Sequence, residues 1–310
     1  VLLLTLFILG SHSAFFGPAK YAILPEQLEK EELISANALI ESSTFVSILL
    51  GTLLGGALIV WDKEHYLVGA HFTGGLCLSI AVLGLMSSLF IKKTQIFNSE
   101  APHTAFSLHI LRETKNLLIA AKDIRKVYLS ILGISWFWLI GIVFLTKLPS
   151  IVKSVLYADH HVLTGLFAVF SIGVAVGSLL SNRLQKNQIH AHYVPTAILL
   201  MSIFIFDFSA AIQNTAPTAT LMPLSEFLSH PLGFRVFADI LCFSILGGIY
   251  VVPLYTILQY YSPPEKRAKM LASNNVINAL FMVAATLCMM VLGFLGITHS
   301  AQIALLGALN

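Results

Sequence analysis

Blocks of about twenty apolar residues recur along the whole chain, separated by short charged connections. A helix needs roughly 20 apolar residues to cross a ~30 Å hydrocarbon core. A soluble core of similar size shows amphipathic stripes instead. The blocks cover residues 1–24, 36–61, 66–91, 127–145, 162–181, 193–212, 234–258 and 271–296, with a shorter run at 300–310. Charged residues make up 11% of the chain, against roughly 25% in soluble domains. An all-α integral membrane protein of about nine spans follows. The chain opens at Val1 inside an apolar run and stops at Asn310 before the last run is long enough to cross; both ends read as cut.

Successive spans alternate in direction, so the connections fall into two sets. Of the 18 Lys and Arg residues, only Lys63, Lys147, Lys153 and Arg235 belong to one set. The rest belong to the other, and cytoplasmic loops are the ones enriched in Lys and Arg. The first span is therefore expected to end in the cytoplasm at Lys20. The net charge of +3 then reflects topology and lipid headgroups, not nucleic acid. Within the long connection 92–126, Leu108, Leu111, Leu118 and Ile119 alternate with Arg112, Lys115, Lys122 and Arg125. This pattern predicts a basic amphipathic helix on the inner leaflet. A regulatory or partner-binding segment is the alternative.

Three spans precede that connection and six follow. The arrangement resembles the major facilitator architecture, two six-helix halves joined by a long cytoplasmic loop. It implies a truncated bundle of about nine of twelve spans. Residues 1–91 would be the last three spans of the first half, 92–126 the linker and 127–310 the second half. The connection from Ser178 to Lys186 also resembles that family's loop signature, with Asn182 where the acid usually stands.

The most distinctive stretch is Phe16-Gly-Pro-Ala-Lys20-Tyr21-Ala-Ile-Leu-Pro25, followed by Asn37-Ala-Leu-Ile-Glu41-Ser-Ser-Thr44 and Gly51-Thr-Leu-Leu-Gly55-Gly56. In order, these resemble the bacterial lysophospholipid transporter family, stand-alone or fused to an acyltransferase. Ser135-Trp136-Phe-Trp138, Gly247 to Pro253 with Gln259, and Ala272-Ser-Asn274-Asn275-Val-Ile-Asn278 extend the likeness over nearly the whole chain. The resemblance implies a secondary transporter moving lysophospholipid, such as lysophosphatidylethanolamine, inward across a bacterial inner membrane for reacylation. Its partners would be the lipid substrate, the bilayer and an acyltransferase or acyl-activating enzyme, fused or separate. The alternatives are an exporter of drugs or other small solutes, and the membrane anchor of an enzyme.

The residues mark several of these positions as functional candidates on their own account. Glu41 stands about five residues into its span, some 7 Å along the axis, where an ionisable group is costly unless paired or hydrated. Asn37 and Thr44 lie one turn to either side, and Lys20 is the expected ionic partner, in a clasp that is either fixed or opened during transport. Asp207 is expected deep in a span with no basic neighbour in sequence, as a proton-coupling carboxylate, a hydrogen-bonded structural one, or one near the outer surface. Asp239 has Arg235 one turn away and is expected to pair with it.

Trp136 and Trp138 fall at mid-membrane, lining a cavity or packing. Asn274 and Asn278, one turn apart, suit either a phosphate or a neighbouring helix. Gly51/Gly55 and Gly173/Gly177 are small-x-x-x-small pairs that let helices approach closely, and Pro253 permits a kink.

Cys77, Cys242 and Cys288 read as small apolar residues. Asp159-His160-His161 and His190-x-His192 lack a further ligand at supportive spacing, so no metal is expected. Nor is any cofactor: the chain has no P-loop, no Gly-x-Ser-x-Gly and no His-x-x-x-x-Asp box, and an enzyme reading has no motif to stand on.

Overall fold

Hydrocarbon cannot hydrogen-bond a peptide group, so apolar runs of span length must satisfy their backbones internally as helices. The computed structural model describes residues 2–60, 66–91, 112, 115, 116, 119, 121–186, 188–213, 215 and 220–310. Its helices are α1 (Leu2–Ala22), the short α2 (Leu24–Gln27), α3 (Leu33–Val60), α4 (Tyr66–Ser88), α5 (Arg125–Ser154), α6 (His160–Gln185), α7 (Val194–Ala211), the short α8 (Leu224–Ser229), α9 (Pro231–Tyr261), α10 (Arg267–Phe294) and α11 (His299–Leu309). Among the described residues the only β feature is an isolated bridge between Ala158 and Met222.

Among the described residues seven helices are long and apolar enough to cross a membrane, namely α3 to α7, α9 and α10, the spans of α3 and α10 including the 3₁₀ turns before them. The protein is a multi-pass, all-helical membrane protein. With α1 and the 11-residue α11 the nine apolar blocks are accounted for. The expected amphipathic linker helix lies for the most part outside the described residues.

Helix ends differ from the apolar blocks where packing continues past the hydropathy. α5 runs to Ser154, through Pro149, because Leu148, Ile151 and Val152 are buried on one face of its last turns. α6 extends to Gln185, so the stretch from Ser178 is helix rather than loop. It stops where Lys186 turns left-handed at φ 49°. At the opposite end Asp159 caps α6, its carboxylate accepting from the backbone N–H groups of His161 and Val162 at 3.0 and 3.1 Å.

α9 is the most enclosed of these helices and packs against α6, α7, α5 and α3. Its approach to α6 is close enough to exclude side chains. A Cβ on Gly177 would lie 1.9 Å from the Ile245 carbonyl oxygen, and one on Gly248 2.5 Å from the backbone of Val174 and Ser178. Gly173 faces Ser244 in the same way. Gly51 and Gly55 behave differently: a Cβ on either meets nothing within 4 Å. The expected tight pair on α3 is therefore not a helix contact among the described residues, because α3 turns that face outward. Pro253 lies inside α9, which runs through it as one helix.

A chain of rings crosses the bundle through α7, α5, α9, α6 and α3. Phe208 meets Phe144 at 5.7 Å and Phe144 stacks on Phe243 at 4.7 Å. Phe243 meets Phe170 at 6.2 Å, and Phe170 meets Phe45 edge-on at 6.1 Å. The two glycine classes make a direct test. Gly177→Ala and Gly248→Ala should each lower the thermal stability of the detergent-solubilised protein by about 1–3 kcal/mol, the usual cost of overpacking. Gly51→Ala and Gly55→Ala should leave it unchanged or slightly raised, and equal losses at all four positions would contradict the crossing described here.

Candidate functional site

α1, α3, α5, α9 and α10 bring their polar side chains to one level, near the end of the bundle that carries Lys20. Glu41 on α3 is 1% exposed. Its carboxylate accepts a hydrogen bond from the Tyr21 hydroxyl of α1. The Tyr21 ring stacks on Tyr255 of α9, with centroids 4.6 Å apart and planes 4° from parallel. The Tyr255 hydroxyl accepts from the Trp138 indole N–H of α5 at 3.0 Å, and one turn earlier on α5 Ser135 faces Asn278 of α10. Asn278 accepts from the Ser135 hydroxyl at 2.7 Å. Five helices are thus tied together by one relay of side chains.

The expected Lys20–Glu41 ion pair is not formed. Lys20 stands over the Tyr21 ring, 4.8 Å from its centroid, a cation–π placement, and Tyr21 takes the carboxylate instead. Asn37 is fully buried and makes a reciprocal amide pair with Gln259 of α9. Its Nδ2 donates to Oε1 at 2.7 Å and its Oδ1 accepts from Nε2 at 2.9 Å. Arg267 Nε donates to the Gln259 carbonyl at 2.9 Å, and Ser42 Oγ to the Ala175 carbonyl of α6 at 2.8 Å. This end of α3 is therefore sewn to α6 and α9.

Asn274, one turn before Asn278, is fully buried, and neither atom of its amide has a partner. Native structures leave few such groups. Thr44 contributes nothing to the level, since its hydroxyl bonds back to the Ile40 carbonyl at 2.7 Å.

Beyond this level, away from the Lys20 end, lies an apolar cavity of about 240 Å³. Its walls come from Phe45 to Leu53 on α3, Phe137 to Leu145 on α5 and Thr164 to Ser171 on α6, with Met282 of α10. Trp138 belongs to both regions: its ring lines the cavity while its N–H points into the polar relay. Trp136 does not reach the cavity. It turns to α11 and donates to Asn310 Oδ1 at 2.9 Å.

Of the alternatives for Asp207 the structure shows the hydrogen-bonded one, and the expected Arg235–Asp239 pair is corrected. Asp207 is not a bare carboxylate, because Arg235 of α9 grips it in a two-pronged pair, Nη2 to Oδ1 at 2.5 Å and Nε to Oδ2 at 2.9 Å. Both groups are more than two-fifths exposed. Arg235 is thereby drawn away from Asp239, which is 4% exposed with one oxygen unpartnered. The reason is geometric: the planar guanidinium fork fits a carboxylate on a facing helix edge-on. The trio lies near the opposite end of the bundle from Glu41.

Asp159, His160 and His161 do bring one ligand atom each within 4.8 Å of one another, but Asp159 is already the cap of α6. His190 and His192 meet edge-on, 5.8 Å between centroids. All three cysteines are free.

Residues 1–286 match the model of the Major Facilitator Superfamily. The chain belongs to that superfamily. The chain is also 28% identical, over 256 residues, to the lysophospholipid transporter LplT of Yersinia pestis (strain Pestoides F) and of Yersinia pseudotuberculosis serotype O:3 (strain YPIII). The match covers 81% of this chain and 55% of each relative, so the chain spans about half the length of the curated relatives it matches. No solved structure gives a significant match.

Tyr255 is a site residue that sequence reasoning missed, and Gln259 was named there only as part of the family likeness, without a role. Both were visible as polar positions one turn apart in an otherwise apolar run. The amide pair can be tested by a double-mutant cycle. Asn37→Leu or Gln259→Leu alone strands a buried amide and should cost about 1–3 kcal/mol of stability. The double Leu variant should recover most of that in thermal unfolding of the solubilised protein. Strictly additive losses would show that the two amides do not act as a pair.

Proposed function

We propose that this transporter moves lysophospholipid, such as lysophosphatidylethanolamine, inward across the bacterial inner membrane, where an acyltransferase, fused or separate, restores the second chain. The relatives named as lysophospholipid transporters support the reading. The observation that carries it is Trp138, one residue shared by a polar relay and an apolar cavity. An amphiphile poses a two-part demand: its headgroup needs hydrogen bonds while its chain prefers hydrocarbon. A solute without a chain would leave the cavity unused.

Placing the Lys20 end in the cytoplasm, as the Lys and Arg bias favours, also sets a direction. A headgroup at Glu41, Tyr21, Tyr255, Asn274 and Asn278 would lie toward the cytoplasm with its chain pointing to the membrane centre. That is the posture of a lipid in the inner leaflet. Taking 1–91 and 127–310 as parts of the two halves, the Asn37–Gln259 pair joins one half to the other at the cytoplasmic side. Release then requires that pair to part, by rigid-body rocking of the halves.

The test is initial uptake of labelled lysophosphatidylethanolamine by spheroplasts expressing the full-length protein. Losing a hydrogen bond to a charged group costs about 1.5–3 kcal/mol. Tyr21→Phe and Glu41→Gln should therefore each slow uptake about tenfold or more at normal expression, and Lys20→Ala should slow it as well. Unchanged uptake in Glu41→Gln and Lys20→Ala would remove the polar pathway from the mechanism.

A further inference from the structure

The apolar cavity is built in levels along α5. Phe137, Gly141 and Leu145 line it at successive turns of that helix. Phe45, Phe137 and Phe170, all buried, form the floor next to the polar relay, and Ile48, Leu53 and Leu145, at 49, 41 and 45% exposure, form the rim. The waist of α5 carries no side chain. A Cβ on Gly141 would meet nothing within 4 Å.

Among the described residues no packing neighbour accounts for that open space. The glycines at the α6–α9 crossing are filled by their neighbours, and Gly133 of α5 has Leu254 and Tyr250 against it. Gly10, Gly51, Gly55, Gly74, Gly75, Gly84 and Gly296 also have open space, but none of them lines the cavity. Glycine is besides a poor helix former, so its place in mid-helix asks for a reason.

We propose that Gly141 sets the length of acyl chain the transporter accepts, by keeping the cavity open at its waist. The inference rests on the lysophospholipid reading. From Phe137 to Leu145 is about 12 Å at 1.5 Å per residue, close to the ~15 Å that one leaflet of a ~30 Å core gives a chain. An engineered cavity of ~150 Å³ admits benzene; at about 240 Å³ this one is of a size for a stretch of alkyl chain of that depth. A side chain at 141 divides that depth in two. It shortens the accepted chain whether the headgroup lies beyond the floor or at the rim.

The experiment measures uptake of short-, medium- and long-chain lysophosphatidylethanolamines by the full-length protein, comparing wild type, Gly141→Ala and Gly141→Leu. Thermal unfolding checks that each variant is folded, which the open space around Gly141 leads us to expect. Gly141→Leu should lose long-chain uptake by about tenfold or more, the discrimination that a single misplaced methylene gives in an apolar pocket. It should keep short-chain uptake near wild type, with Gly141→Ala between. A folded Gly141→Leu protein whose profile is unchanged, or lowered equally at every length, overturns the gauge alone. A wild-type protein inert toward every member of the series overturns the lysophospholipid reading and the gauge with it.

Discussion

Hydrocarbon offers no hydrogen bonds, and the whole arrangement answers that one constraint. The backbones answer it by being helical. Side chains answer it in two ways, according to how many partners they need. A hydroxyl on an exposed face is satisfied within its own helix, as Ser11, Thr52, Ser79 and Thr286 are by carbonyls four residues back. Amides, carboxylates, phenols and indoles ask for more than their own helix supplies. They must meet one another, and where they meet they fix the register of the helices that carry them. The relay from Glu41 through Tyr21 and Tyr255 to Trp138, with Asn278 and Ser135, is the outcome of that demand on five helices.

This division explains what was legible in the sequence. Blocks of apolar residues dictate helices of known length, so the order of spans could be read directly. Their ends could not, where a buried stripe such as Leu148, Ile151 and Val152 carries α5 past the apolar block. Glu41 stood out as an ionisable group in a span, and the structure does bury it. Its partner was misjudged because charge complementarity favoured Lys20, whereas the adjacent Tyr21 reaches the carboxylate and Lys20 reaches only the ring. Sequence spacing also paired Arg235 with Asp239, one turn away. The facing helix offered Asp207 edge-on, and the fork geometry of the guanidinium decided between them.

Small residues show the same limit. Gly51 and Gly55 carry the same spacing as Gly173 and Gly177, but only the second pair lies where two backbones meet. A spacing motif records what a helix permits; a partner helix decides whether it is used. Gly141 belongs to neither class, since its open face lies along a cavity wall. No pattern in one sequence separates a glycine kept for a helix contact from one kept for a ligand.

On the proposed reading the nature of the α3–α9 contact matters, because the two sides of a transporter must separate in each cycle. An ion pair buried at that position would pay several kcal/mol per ion in desolvation and, once made, would resist parting. Asn37 and Gln259 carry no net charge, and water entering an opening cleft replaces their two hydrogen bonds at modest net cost. The pair is strong enough to set register and weak enough to open. Asn274 lies in the same polar level with its amide unsatisfied, so the closed arrangement already bears the cost of one buried group without a partner. On the proposed reading, a lysolipid headgroup that satisfies Asn274 while water takes over Asn37 and Gln259 lowers the free energy of opening only when substrate is present. Differential contact of that kind is what coupling between binding and rocking requires.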